Sequence, residues 1–171
     1  MMGKQETKHA FTLAGSVTHL LHRAQQAAVN QSAQGLADKG LTIRQFAVLA
    51  ALNDQDGQSQ SSLVDVTGID RSTLADMVSR MEKSGLVQRV KSNEDARAKA
   101  VSLTDAGQAA FDNAVSVVIE ADAILTEDLR KSRRESLMTS LSSISGDLEE
   151  EYVPPKKGLK GSKKKKKKKK K

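Results

Sequence analysis

Between Asp70 and Thr104 the spacing of apolar residues switches from one period to another, and that switch restricts the chain to few folds. Leu74, Met77, Val78 and Met81 recur at i, i+3, i+4 and i+7, the buried stripe of an α-helix. Arg71, Ser72, Asp76, Ser79, Arg80 and Lys83 are left on the other side. Asp70 stands before the stripe as an N-cap and Gly85 behind it as a stop. From Leu86 onward the period falls to about two. Leu86 and Val90 alternate with Val87, Arg89 and Lys91, and a polar loop leads into Lys99-Ala100-Val101-Ser102-Leu103. The tip of that hairpin, Ser92-Asn93-Glu94-Asp95-Ala96-Arg97, is too polar to be core.

A short helix is expected over about Ser59 to Thr67, with Gly68 supplying the tight turn into the helix capped by Asp70. Helix, turn, helix and a two-stranded wing is the economical reading, and the outward face of the second helix suits base edges and phosphates.

The flanks read as helices. The first spans about His9 to Ala33, with Leu13, Val17, Leu20, Ala24 and Ala28 on one stripe and Gly35 and Gly40 bracketing its end. A second starts at a Thr42 cap and buries Ile43, Phe46, Ala47 and Ala50 before the polar loop Asn53–Gly57. Thr104 caps a long helix to about Asp128, apolar at Ala106, Ala110, Ala114, Val117, Val118, Ala121, Ile124 and Leu125, a stripe wider than one partner helix needs. The last helix, Ser132 to Glu149, carries Leu137, Leu141, Ile144 and Leu148 as a seam that wants another helix.

Charge sharpens the picture. The 171 residues carry a net +7, but residues 156–171 hold 12 lysines and no acid, so the first 155 carry 16 basic and 21 acidic side chains, a net of −5. Residues 70–99 are locally basic, with seven Lys or Arg against five Asp or Glu. An acidic body with a basic reading head disfavours misoriented docking on DNA. The absence of cysteine removes disulfides, thiolate metal sites and thiol nucleophiles. No stretch approaches a membrane span and no secretory signal opens the chain, so a cytoplasmic protein is expected. No GxSxG, GxGxxG or GxxxxGK[ST] signature is present, and no nucleophile with its base and orienter stands out, which argues against an enzyme.

Gly68-Ile69-Asp70-Arg71-Ser72-Thr73-Leu74, Leu86-Val87, Asp95-Ala96-Arg97-Ala98-Lys99 and Val101-Ser102-Leu103-Thr104-Asp105-Ala106-Gly107 together resemble the MarR family of winged-helix transcriptional regulators, over about residues 10–150. The fold class expected is mainly α with a small β-wing. A winged helix-turn-helix over about 42–104 lies between dimerisation helices over about 9–34 and 105–150. One domain occupies 1–155, and Lys156–Lys171 is expected to be a disordered poly-lysine tail. Family analogy adds one short strand near Gln58, about which the sequence alone is silent.

The resemblance implies a homodimer on a pseudo-palindromic operator of double-stranded DNA, with half-sites about one helical turn apart. It further implies a repressor released by a small molecule, of which aromatic acids and related anions are the family's guide; a thiol-based peroxide sensor is excluded by the lack of cysteine. The recognition-helix contacts expected are Arg71, Ser72, Thr73, Asp76, Ser79 and Arg80, with Thr73 equally suited to an internal position. Arg97 resembles the family's wing arginine that enters the minor groove, Asp95 orients it, and Arg89, Lys91 and Lys99 suit phosphate. His19, Arg23 and Phe46 are the expected pocket residues.

Two rival readings remain. The lysine tail alone can drive nonspecific DNA coating. His19 and His22, three apart on the first helix, offer two arms of a metal-responsive site, short of the four ligands a closed site needs, with His9 on a different face.

Overall fold

The computed structural model describes residues 11–91 and 99–146, in two units that divide between Asp128 and Leu129. The first unit begins with a short 3-10 turn, Leu13–Gly15, and α1, Val17–Ala37. Then come α2 (Ile43–Asp54), β1 (Gln58–Ser59), α3 (Gln60–Thr67), α4 (Arg71–Lys83), β2 (Val87–Lys91), β3 (Lys99–Leu103) and α5 (Asp105–Leu125). The second unit holds α6, Lys131–Ser145. No helix among the described residues is long and apolar enough to cross a membrane.

Each helix of the winged-helix region starts where a side chain satisfies an orphan N–H. Thr42 and Gln45 form a reciprocal capping box at α2. The Ser59 hydroxyl accepts from the Ser62 N–H, the Asp70 carboxylate from the Thr73 N–H and the Thr104 hydroxyl from the Gly107 N–H. Gly68, at φ +64°, ends α3 in the left-handed conformation that a residue with a Cβ adopts only under strain.

The sheet has the order β1-β3-β2 and is antiparallel throughout. Gln58 of β1 and Arg89 of β2 both register with Val101 of β3. The extra strand beside the wing is therefore present. Gln58 is buried there, donating to the Ala51 and Gln55 carbonyls and accepting from the Ser62 hydroxyl, so a single amide ties β1 to α2 and α3.

The core gathers Leu36 of α1, Val48, Leu49 and Leu52 of α2, Leu63 of α3, Leu74, Val78 and Met81 of α4, Val87 and Val101 of the wing, and Ala114 of α5. Phe46 stacks on Phe111 with ring centroids 5.5 Å apart.

Several sequence-based boundaries shift. Helix α1 begins at an N-cap on Ser16 rather than at His9, which lies outside the described residues, and it runs through Gly35 to Ala37. Gly35 does not end the helix. A Cβ built there would lie 2.6 Å from Val117 Cγ1, so glycine permits the close approach of α1 to α5. Gly40, at φ +72°, makes the turn instead.

In α2 the buried set is Phe46, Val48, Leu49, Ala51 and Leu52, because the helix is covered on several sides and burial is not confined to the Ile43-Phe46-Ala47-Ala50 stripe. On β2 Val87 is buried and Val90 half-buried, as is Leu86 just before the strand. Helix α5 ends at Leu125. Helix α6 ends at Gly146, φ +89°, short of Glu149, and Leu148 lies outside the described residues, as does the lysine tail.

Candidate nucleic-acid interface

Helix α4 is fixed by its buried stripe. Leu74, Met77, Val78 and Met81 are all buried, as the spacing predicts. That anchorage leaves Arg71, Ser72 and Asp76 exposed on the far side, with Ser79 half-buried. Asp70 joins this surface to the cap: its carboxylate accepts from Thr73 N–H at 3.0 Å and from the Ser72 hydroxyl at 2.7 Å. The hydrogen bonds from Thr73 and then Ser72 hold the Asp70 carboxyl far below the ordinary carboxylate range, so it stays charged at the positive end of the helix. Arg71 reaches back across the turn, its Nη2 donating to the Ser61 hydroxyl of α3 at 3.5 Å.

The six expected contact residues do not share one face. Thr73 is half-buried and lines a cleft with Met77 and Arg80, three positions at i, i+4 and i+7 of α4. Arg80 is exposed at the rim and borders both the cleft and the outward surface.

At the wing, Arg89 Nη1 sits 3.0 Å from Glu82 Oε2, an ion pair that charge alone does not foretell for an expected phosphate contact. Lys91 and Lys99 are register partners at the ends of β2 and β3. Asp95 and Arg97 lie outside the described residues. The wing's base is tied down by the Asp56 carboxylate, which accepts from the Leu103 N–H at 3.0 Å, and by the Thr104 hydroxyl, which donates to the Gly85 carbonyl at 2.6 Å.

The cleft lies between α1, α2, α4 and α5 and has a volume of about 1010 Å³. Its chemistry is carried by His22 and Gln26 of α1, Arg44 of α2, Arg80 of α4 and Asp122 of α5, over an apolar floor that includes Val29, Ile43, Met77 and Val118. Desolvation on the cleft side raises the Asp122 carboxyl above its ordinary value although the residue keeps an exposed edge.

None of the three expected pocket residues lines this cleft. Phe46 is buried in the stack on Phe111, His19 stands one turn before the first α1 residue of the cleft, and Arg23 borders a smaller surface depression with His22, Gln26, Ala27 and Asn30. His22 is the histidine one turn further along the helix, and it alone of the two reaches the cleft. Among the described residues no group of three or more His, Cys, Asp or Glu side chains is placed to hold a metal ion.

A winged helix-turn-helix whose reading helix also walls a cleft defines a class of DNA-binding regulator, and comparison with known proteins gives the family. Residues 41–99 match the family model described as MarR family. The transcriptional regulator HosA of Escherichia coli is 33% identical over 98 residues, covering 57% of this chain and 73% of HosA. Among solved structures, Bordetella bronchiseptica BpsR, described with regulation of its DNA binding by 6-hydroxynicotinic acid, is 30% identical with a TM-score of 0.74, over 79% of this chain and 96% of that one. The transcriptional repressor CouR of Rhodococcus jostii, solved on a 23-mer DNA duplex, is 30% identical with a TM-score of 0.70, over 78% of this chain and 94% of that one. The chain belongs to the MarR family of DNA-binding transcriptional regulators.

Proposed function

We propose that this regulator is a homodimeric repressor that reads a pseudo-palindromic operator and is released by a small anion of the aromatic-acid class bound in the cleft. One observation carries the effector reading: Thr73, Met77 and Arg80 of the reading helix line the cleft, so its occupant touches the element that reads DNA. His22, Arg44 and Arg80 supply donors for a carboxylate, and Val29, Ile43, Met77 and Val118 supply apolar surface for a ring. BpsR, with 6-hydroxynicotinic acid in its description, is the precedent for that ligand chemistry.

On DNA, Arg71, Ser72, Asp76, Ser79 and Arg80 meet the major groove, with Ser72 and Thr73 holding the Asp70 cap. Arg97 enters the minor groove, oriented by Asp95, and Lys91 and Lys99 meet phosphate. The exposed Val17, Leu20, Ile119 and Ile124 of α1 and α5 supply an apolar surface for a second copy.

The test is a titration of the full chain, and of residues 1–155, on duplexes from beside its own coding region and on random duplex, over several salt concentrations, with and without a panel of aromatic acids. Selective binding by both forms, weakened by one of the acids and lost on Arg44→Ala only in its acid response, is the expected result. The 12 lysines of residues 156–171 favour a second reading, in which the tail does the binding. It requires binding by the full chain alone, equal on both duplexes and collapsing with salt, and that outcome replaces the first reading.

A further inference from the structure

Glu82 is in the last turn of α4 and Arg89 is in β2, and only Ser84-Gly85-Leu86 lies between the two elements. The short connection is held by its backbone: the N–H groups of Ser84, Gly85 and Leu86 donate to the carbonyls of Arg80, Glu82 and Met81. Beyond it β1 pairs only with Val101 and Ala100 of β3, and past that point the wing continues as the two strands β2 and β3. Strands rise about 3.3 Å per residue, so a rotation of about 10° at Gly85 displaces Lys91 by roughly 3 Å, the length of a hydrogen bond. Among the described residues, the Glu82–Arg89 pair at 3.0 Å is the one polar side-chain link between α4 and the two strands of the hairpin.

The two side chains are 33% and 35% exposed, and an ion pair that open to solvent adds little to stability. A carboxylate beside a surface that meets phosphate also costs affinity by repulsion. Stability and attraction to DNA are therefore both poor accounts of what the carboxylate does there.

We propose that the Glu82–Arg89 pair is a latch that fixes the angle between the recognition helix and the wing, making Glu82 a positioning residue for operator recognition. The inference rests on the reading of α4 and the hairpin as one DNA surface. It makes two effects of opposite sign. Losing the carboxylate strengthens attraction to any duplex and frees Arg89 for phosphate, while losing the fixed angle weakens simultaneous engagement of both grooves.

The experiment compares the full chain with Glu82→Gln and with the charge-exchanged double variant Glu82→Arg/Arg89→Glu. Two duplexes of equal length are used, one selected by the wild-type protein from a random pool and one of unselected sequence. For Glu82→Gln the selectivity ratio falls about five- to tenfold, the size of coupling within one contact network. Affinity for the unselected duplex rises, with a log-log salt slope steeper by about 0.9 for the one phosphate gained. The double variant recovers the ratio, and melting temperatures stay within about 2 °C of the wild type.

A parallel rise on both duplexes makes Glu82 a simple repulsive charge and overturns the latch. A parallel fall that tracks the melting temperature makes it structural, and unchanged binding removes it from recognition; either overturns the latch as well. Failure of the wild-type chain itself to prefer its selected duplex overturns the DNA reading, and the latch with it.

Discussion

The winged-helix region and the long helices that flank it spend their apolar side chains in opposite ways. Of the 12 residues of α2, five are buried, and they include Phe46, Leu49 and Leu52. Helix α1 has 21 residues and buries only Ser32 and Leu36; α5, also of 21, buries Gly107, Ala114 and Ala121. Gly35 of α1 stands close against Val117 of α5, and the two helices leave Val17, Leu20, Ile119 and Ile124 exposed. Residues 41–104 supply most of a core to which α1 and α5 add the buried Leu36 and Ala114, whereas these two helices also keep apolar side chains on the surface. On the reading proposed above, a second copy covers them.

The largest expected effect falls on the closed core. Leu49 is fully buried, and Leu49→Ala should cost about 2–5 kcal/mol in a denaturant melt, independent of protein concentration. A loss below about 1 kcal/mol contradicts a core this closely packed.

The seam between the two regions comes next. A Cβ built on Gly107 would stand 1.9 Å from the Leu86 carbonyl oxygen, a backbone atom that cannot turn aside. Gly107→Ala should therefore destabilise by about 1–3 kcal/mol, although alanine is the better helix former. Gly35→Ala meets only the Val117 side chain and should cost less. The reverse ranking in paired melts breaks the account of a rigid joint at the wing and a yielding one between α1 and α5.

The comparison also separates what the sequence discloses from what it conceals. Helix α4 is legible almost to the residue, because Asp70 caps it, a single face is buried and Gly85 ends it, so local chemistry and tertiary burial agree. Thr42 and Thr104 are legible for the same reason. Helix α2 is less so, since burial from several sides erases the 3.6-residue stripe. The role of Gly35 is hidden because its cause, Val117, lies far away in the chain.

The candidate site divides in the same way. The exposed residues of α4 follow from its period, but the cleft is made by four helices at once, and periodicity ranks His19 and His22 equally. Arg89 reads as a phosphate contact from charge alone, and its pairing with Glu82 emerges only when α4 and β2 are in place.

A smaller effect tests the open side of the comparison. Val17→Glu with Leu20→Glu places charge on exposed apolar positions and should leave the monomer's helicity unchanged. If a second copy covers this surface, the dimer dissociation constant rises at least tenfold in sedimentation, roughly what one desolvated charge costs. An unchanged constant assigns these residues to solvent and removes the contrast.

The smallest effect distinguishes the helices by their caps. Thr42 and Thr104 cap α2 and α5 with hydroxyls that do not titrate, whereas α4 is capped by a carboxylate. The hydrogen bonds from Thr73 and Ser72 lower the Asp70 pKa in the folded state. Its unfolded value is about 3.9, so the stabilisation from this depressed carboxyl is fully present above about pH 5 and is lost as pH falls through and below 4. Asparagine is an equally good N-cap without a charge to lose. The stability difference between the wild type and Asp70→Asn, followed by denaturant midpoints from pH 7 to pH 2, should be flat above pH 5 and move against the wild type below pH 4. Other carboxylates contribute to the acid slope of both proteins and cancel in the difference. A flat difference over the whole range means that Thr73 and Ser72 do not hold the charge, and α4 then starts no differently from α2 and α5.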